Sequence, residues 1–306
     1  MDIYLYLIFH VLSHALLGAS IAWCLLPRHS WKERFTTLSL GTLCGISPDL
    51  FGWRETSPWT HSIFVTPFLV LGIAIIAKQV NKSLSFKMLW GVSVLAVWIG
   101  HLLLDLMGHE VSLFYPFSQF SPRLGVLTLG DPFIWFPLSV GILLSLCLQN
   151  NPKLPVFLAL LFIMVFLLFR IMAKEVIYYK VELEYPMTEK SYITIEPNTY
   201  YEYPLFSWNW LEYRFQVNSS HYLRGGYAGI LGEKLGKVTW YYFFPAGRDF
   251  KLIKGKYVEQ PSQLPNKLVL SVLQEWTENG VHYIKGQANK KIYTFKEVEK
   301  DRWQEI

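Results

Sequence analysis

The chain has 306 residues, a formal net charge of +5 and 52% hydrophobic residues. Few soluble domains have this composition. The basic residues form no stripe and no nucleic-acid motif occurs, so a nucleic-acid partner is not expected. The average hides a division: residues 1–172 are dominated by Leu, Ile, Val, Phe and Trp, whereas residues 173–306 are rich in Tyr, Trp, Lys and Glu. The fold class expected is an α-helical polytopic membrane domain over 1–172, followed by a small β-rich soluble domain over 173–306.

A bilayer core needs about 20 apolar residues per helix. Candidate membrane helices fall at 3–26, 35–51, 62–77, 88–106, 133–148 and 154–172. The first lacks the basic lead and small-residue cleavage site of a signal peptide, so it reads as a retained helix. The second carries Thr36, Thr37, Ser39, Gly41, Thr42 and Gly45, which suit a short or re-entrant segment buried among the others. The third and fifth are short for a full span. Lys and Arg gather in the loops after the first and third helices (Arg28, Lys32, Arg34; Lys78, Lys82, Lys87), and the opposite loops hold Arg54 and Arg123. That bias puts the first set in the cytoplasm and the N-terminus, the 52–61 and 107–132 loops and the C-terminal domain outside.

The soluble part is expected to begin near Lys174, with strands around Val176–Tyr179, Tyr192–Ile195, Tyr213–Val217, Val238–Phe244, His282–Lys285 and Ile292–Phe295. Turn signals separate them at Glu196-Pro197-Asn198, Asn218-Ser219-Ser220 and Pro245-Ala246-Gly247. Residues Lys267–Glu278 read as a helix stopped by Asn279-Gly280. Cys24, Cys44 and Cys147 lie in apolar segments without ligand spacing and read as buried, inert thiols.

Chemistry concentrates in the first domain. His101 and Asp105 stand four residues apart in an apolar run and share a helix face. Ionisable groups at membrane depth are costly and need a partner or a task. His10 and His14 are also four apart, Asp49 follows Pro48, His61 opens the third segment and Asp131 precedes Pro132. In the predicted topology all of these reach one leaflet. Imidazole and carboxylate donors suit a divalent metal, zinc above all, with manganese and iron as alternatives. The expected ligands are His10, His14, Asp49, His61, His101 and Asp105, and the carboxylates of Asp105 and Asp131 are expected to do catalytic work. Asp131 also reads as an ordinary turn residue, His109 as an interfacial loop residue, and His29, His221 and His282 as solvated. Asn218-Ser219-Ser220 matches a glycosylation sequon of a kind common by chance.

Ser13-His14, Ser47-Pro48-Asp49, Thr60-His61-Ser62, Gly100-His101-Leu102-Leu103-Leu104-Asp105, Tyr115-Pro116-Phe117-Ser118, Arg123 and Gly130-Asp131-Pro132 together resemble the YdjM-like family over roughly residues 1–150. Members are described as inner-membrane, metal-dependent hydrolases. The resemblance implies an integral inner-membrane protein with hydrolase activity and supplies no substrate. The family often has His-Arg-Gly before its Thr-His-Ser; here Thr56-Ser57-Pro58-Trp59 stands there, and His10 is an extra imidazole one turn before His14. The His-x-x-x-Asp element is more distantly similar to helical zinc phospholipases C and nucleases, which implies a phosphoester or lipid-headgroup substrate, with membrane lipid as partner. Two other readings compete: a non-enzymatic protein whose polar cluster fixes helix packing and whose β domain binds a partner, and a transporter. The transporter would need polar residues through the inner half of the bundle, where few occur.

Overall fold

The computed structural model describes residues 3–27, 30–51, 58–128, 130–148, 150–184, 191–197, 210–216, 223–229, 234–246, 249–252, 268–288, 291–299 and 302–306. His29, His221, the sequon at 218–220 and the loop with Arg54 lie outside them. Two compact units are present, with the division at Met172/Ala173.

The helices are α1 (Ile3–Leu25), α2 (Trp31–Leu50), α3 (Thr66–Leu69), α4 (Leu71–Val80), α5 (Phe86–Val97), α6 (Leu103–Gly108) and α7 (Pro132–Cys147) of the first unit, and α8 (Leu154–Glu184), which begins in the first unit and ends in the second. A 3₁₀ turn at Pro58–His61 precedes α3, and a π turn at Trp98–Leu102 joins α5 to α6 without a break. Three stretches among the described residues are long and apolar enough to cross a membrane: Leu7–Leu25, Phe86–Gly108 and Leu154–Lys180. Thr66–Val80 and Pro132–Cys147 are shorter apolar helical stretches.

The semi-polar second segment forms a regular helix of 20 residues. A capping box starts it, with Ser30 and Glu33 satisfying each other's backbone N–H. Its small residues serve close packing. A Cβ added at Gly41 would meet the Gly18 carbonyl oxygen, one at Gly45 the His14 carbonyl oxygen, and one at Gly100 the Gly18 backbone at 2.9 Å. Three chain segments therefore touch backbone to backbone, as small residues allow in membrane bundles. Near the end of α2, Pro48 has no N–H to give the Cys44 carbonyl, and the Ser47 hydroxyl donates to it instead at 2.9 Å. The Ser47-Pro48 step thus carries the helix one turn further, to Asp49.

Two expectations about the chain beyond residue 172 are corrected. Val176–Tyr179 is helical, because α8 runs on to Glu184. No Gly or Pro interrupts the chain between Pro155 and Pro186, so the helix propagates through residues of high β propensity. Lys267–Glu278 forms no helix, because Leu268–Glu278 is a strand. Asn279 (φ 51°) and Gly280 (φ 77°) are the two left-handed residues of a tight hairpin, pairing Glu278 with Val281 and Thr277 with His282.

The second unit's strands are β1 (Ser191–Pro197), β2 (Trp210–Gln216), β3 (Leu223–Ala228), β4 (Lys234–Ala246), β5 (Asp249–Leu252), β6 (Leu268–Glu278), β7 (Val281–Ala288), β8 (Lys291–Glu299) and β9 (Arg302–Glu305). All pairs are antiparallel, and β6 to β9 form a meander at the C-terminus. Ile284 and Phe295 face each other across β7 and β8 and are fully buried, as is Trp303. Trp276 stacks on its cross-strand partner Tyr283 at 5.3 Å. His282, expected to be solvated, lies against Trp303 and 3.6 Å from Glu297.

Thiol burial also differs from expectation. Cys44 is buried, Cys24 half-buried, and Cys147, the last residue of α7, exposed. Cys44 alone has the full burial expected of all three.

Candidate metal centre

Five imidazoles and two carboxylates meet near one end of the first unit: His10, His14, Asp49, His61, His101, Asp105 and His109. The first six are the ligands expected from the sequence. His109, expected to sit in an interfacial loop, instead follows α6 directly and places Nε2 3.0 Å from Asp105 Oδ1. The spacing 101, 105, 109 is a continuous i, i+4 row, and it outweighs the neighbouring Gly108 that suggested a loop.

Asp105 sits at the middle and is 1% exposed. Its Oδ1 is 3.0 Å from His14 Nε2 and 3.7 Å from His10 Nε2, and its Oδ2 is 3.2 Å from His101 Nε2 and 3.7 Å from His61 Nε2. Asp49 Oδ1 is 3.5 Å from His61 Nε2 and 3.6 Å from His101 Nε2.

The backbone sets the imidazole tautomers. A carbonyl oxygen only accepts, so a ring nitrogen bonded to one must carry the proton. His14 Nδ1 donates to the Gly100 carbonyl at 3.0 Å, His101 Nδ1 to the Gly45 carbonyl at 2.7 Å, and His109 Nδ1 to the Glu110 carbonyl at 3.0 Å. His61 Nδ1 lies 2.9 Å from Thr60 Oγ1. In the neutral rings of His14, His101 and His109, Nε2 is then an acceptor turned toward the Asp105 carboxylate, and His14 Nε2 also lies 3.3 Å from His10 Nε2. The arrangement leaves His101 Nε2, Asp49 Oδ2 and both oxygens of Asp105 buried without a hydrogen bond. One protonated imidazole would relieve one of these contacts and no more. Metal ligands about 2.0–2.2 Å from a common ion stand roughly 3.0–3.6 Å from one another, and ligating histidines fix their second nitrogen on a carbonyl or carboxylate. The donor set, the spacings and the unmatched lone pairs fit a divalent cation.

The glycines that bring the helices into contact also supply these acceptors. Gly45 and Gly100 touch α1 through their backbones, and their carbonyls orient His101 and His14.

Asp131 stands outside the cluster. It caps α7, its Oδ1 accepting from Phe133 N at 2.9 Å. Burial pushes its carboxyl up to about 6. It borders a small cleft with His10, Ser13, Thr128 and Gly130. A residue that the sequence reading missed lies nearby in charge if not in sequence. Arg170 of α8 is 3% exposed, donates from Nε to the Val126 carbonyl at 2.9 Å, and interacts electrostatically with Asp131. Its signal was a lone arginine inside an apolar span, which has no cheap place to go.

No curated protein and no solved structure matches the chain. The family model of the YdjM inner membrane protein matches residues 10–177, a stretch that holds every residue of the cluster together with Asp131 and Arg170. With its apolar spans in place and more than half its length matched, the chain belongs to the YdjM inner membrane protein family.

Proposed function

We propose that this inner-membrane protein is a metal-dependent hydrolase whose centre works at the lipid–water boundary. The observation that carries the reading is the convergence of imidazoles on the buried carboxylate of Asp105, both of whose oxygens lack a hydrogen bond, as do Asp49 Oδ2 and His101 Nε2. A polar cluster serving only to pack helices would match donors with acceptors, because each unmatched buried group costs about 1–3 kcal/mol. Nitrogen and oxygen donors suit zinc, with manganese and iron as alternatives. A divalent ion held there supplies Lewis acidity and makes water acidic enough to act as a nucleophile near neutral pH.

The chain's own residues divide the remaining work. His14, His61 and His101 hold ligand geometry through their Nδ1 contacts. Asp49, the more exposed of the two carboxylates, offers an oxygen donor at the edge of the cluster beside His61 and His101. Asp131 keeps α7 in place beside His10. The centre draws on the first half of α1, as far as its midpoint at His14, and on the last turns of α2 and α6, which favours a place toward one face of the bilayer. A phosphoester or lipid headgroup is the substrate class this position favours, and the Lys and Arg bias of the loops favours the outer leaflet, with residues 173–306 on the same side.

The test is hydrolysis in reconstituted vesicles of phosphatidylethanolamine and phosphatidylglycerol, following release of water-soluble phosphate headgroups with zinc or manganese added. Release that depends on metal and is lost in His101→Ala and His61→Ala supports the reading. Purified full-length protein that takes up neither zinc nor manganese overturns it.

A further inference from the structure

We infer that the cluster holds two divalent ions, bridged by the carboxylate of Asp105. The inference rests on the metal-dependent reading above and adds to it the number of ions and the division of the ligands. Asp105 turns its two oxygens to different partners: Oδ1 to His10, His14 and His109, Oδ2 to His61 and His101. Asp49 Oδ1 lies 3.5 Å and 3.6 Å from the imidazoles of the second set and borders His10 and His14 as well. Four overlapping trios of ligand atoms within 4.8 Å of one another fill the cluster, and two of them, His10/Asp105/His109 and Asp49/His61/His101, share no residue.

A single ion would leave much of this unused. A tetrahedral site takes four donors, whereas seven residues converge here on both edges of one carboxylate. An ion placed on the Oδ1 side leaves His101 Nε2 facing Asp105 Oδ2 at 3.2 Å with lone pair against lone pair. Placed on the Oδ2 side, it leaves His14 Nε2 facing Oδ1 at 3.0 Å in the same way. A bridging carboxylate resolves both sides at once, and ions about 3.5–4 Å apart are the usual form of two-metal hydrolytic sites. His14 Nε2 lies 3.3 Å from His10 Nε2 and 3.0 Å from Asp105 Oδ1, which puts it with the first ion. Both oxygens of Asp105 are buried and make no hydrogen bond, so each has lone pairs to offer a cation.

The experiment uses the full-length chain in detergent, stripped with a chelator and reloaded with manganese. Bound metal is counted by mass spectrometry, and electron paramagnetic resonance reads the coupling between ions. Two manganese ions per chain with an exchange-coupled spectrum is the expected result. His109→Ala, at a partly exposed position following a helix, should retain one ion and give the spectrum of isolated manganese; His61→Ala should do the same from the other side. One ion per wild-type chain, or two without coupling, overturns the bridge and leaves the metal-dependent reading standing. No bound manganese or zinc overturns both. The wild-type count decides the matter even if a variant fails to fold.

Discussion

Gly45→Ala tests whether the metal centre depends on backbone contact between helices. The new Cβ would fall on the carbonyl oxygen of His14 and stand 3.4 Å from Gly18 Cα. Both obstacles are main chain, so no side-chain rotation relieves them. To restore ordinary contact, α1 and α2 must part by about 1 Å, and shifts of this kind cost about 1–3 kcal/mol. The same movement carries the Gly45 carbonyl away from His101 Nδ1, now 2.7 Å distant, and carries His14 away from Asp105. Ligand sets tolerate displacements of only about 0.5 Å, and losing an orienting contact of this type weakens metal binding about 10–100-fold. Zinc affinity measured by chelator competition should fall by at least that factor, and the thermal midpoint in detergent should drop. Gly72→Ala and Gly91→Ala are controls, since a Cβ there meets nothing within 4 Å. A Gly45→Ala protein with the zinc affinity and midpoint of the wild type would refute the argument.

Three further outcomes are expected. Asp131→Asn should retain folding and metal content, because Asn caps helices as well as Asp, whereas Asp131→Ala should cost about 0.5–2 kcal/mol by thermal unfolding with metal content unchanged. Gly280→Val should loosen the β6–β7 hairpin by roughly 1–2 kcal/mol, since φ is 77° there, and limited proteolysis should find new cleavage in the C-terminal unit while metal binding is retained. Chelator treatment should lower the unfolding midpoint of the membrane unit: a ligand present at about 1,000 times its Kd contributes roughly 4 kcal/mol, and removing it withdraws that amount.

Much of the membrane unit was visible in the sequence because lipid is a demanding solvent. Apolar runs long enough to matter stand out, and histidines and aspartates inside them stand out further. His14, His101 and Asp105 declared themselves this way. His109 did not, because it lies past the end of the run between Gly108 and Glu110, and only the i, i+4 row from His101 reveals it. The meeting of the segments was less legible, since it rests on Gly18, Gly41, Gly45 and Gly100 touching across three segments, and glycine leaves no signature of its partner. In the second unit local signals misled in both directions. Val176–Tyr179 has the residues of a strand and the neighbours of a helix, and the neighbours decide. Asn279-Gly280 ends a helix as readily as it turns a hairpin, and what decides is the pairing of Leu268–Glu278 with Val281–Ala288, which a single local window does not contain.

The π turn at Trp98–Leu102 has a consequence for register. Leu103 N reaches back to the Trp98 carbonyl, five residues away rather than four, so the helix takes in one extra residue at this point. Everything downstream is rotated by about 100° from the phase that α5 alone would impose. His101, Asp105 and His109 therefore keep their own row, but its heading relative to α5 is set by an insertion-like bulge. Deleting one residue there would restore an unbroken ladder, keep the span hydrophobic, and swing the central carboxylate off the axis on which the other donors meet.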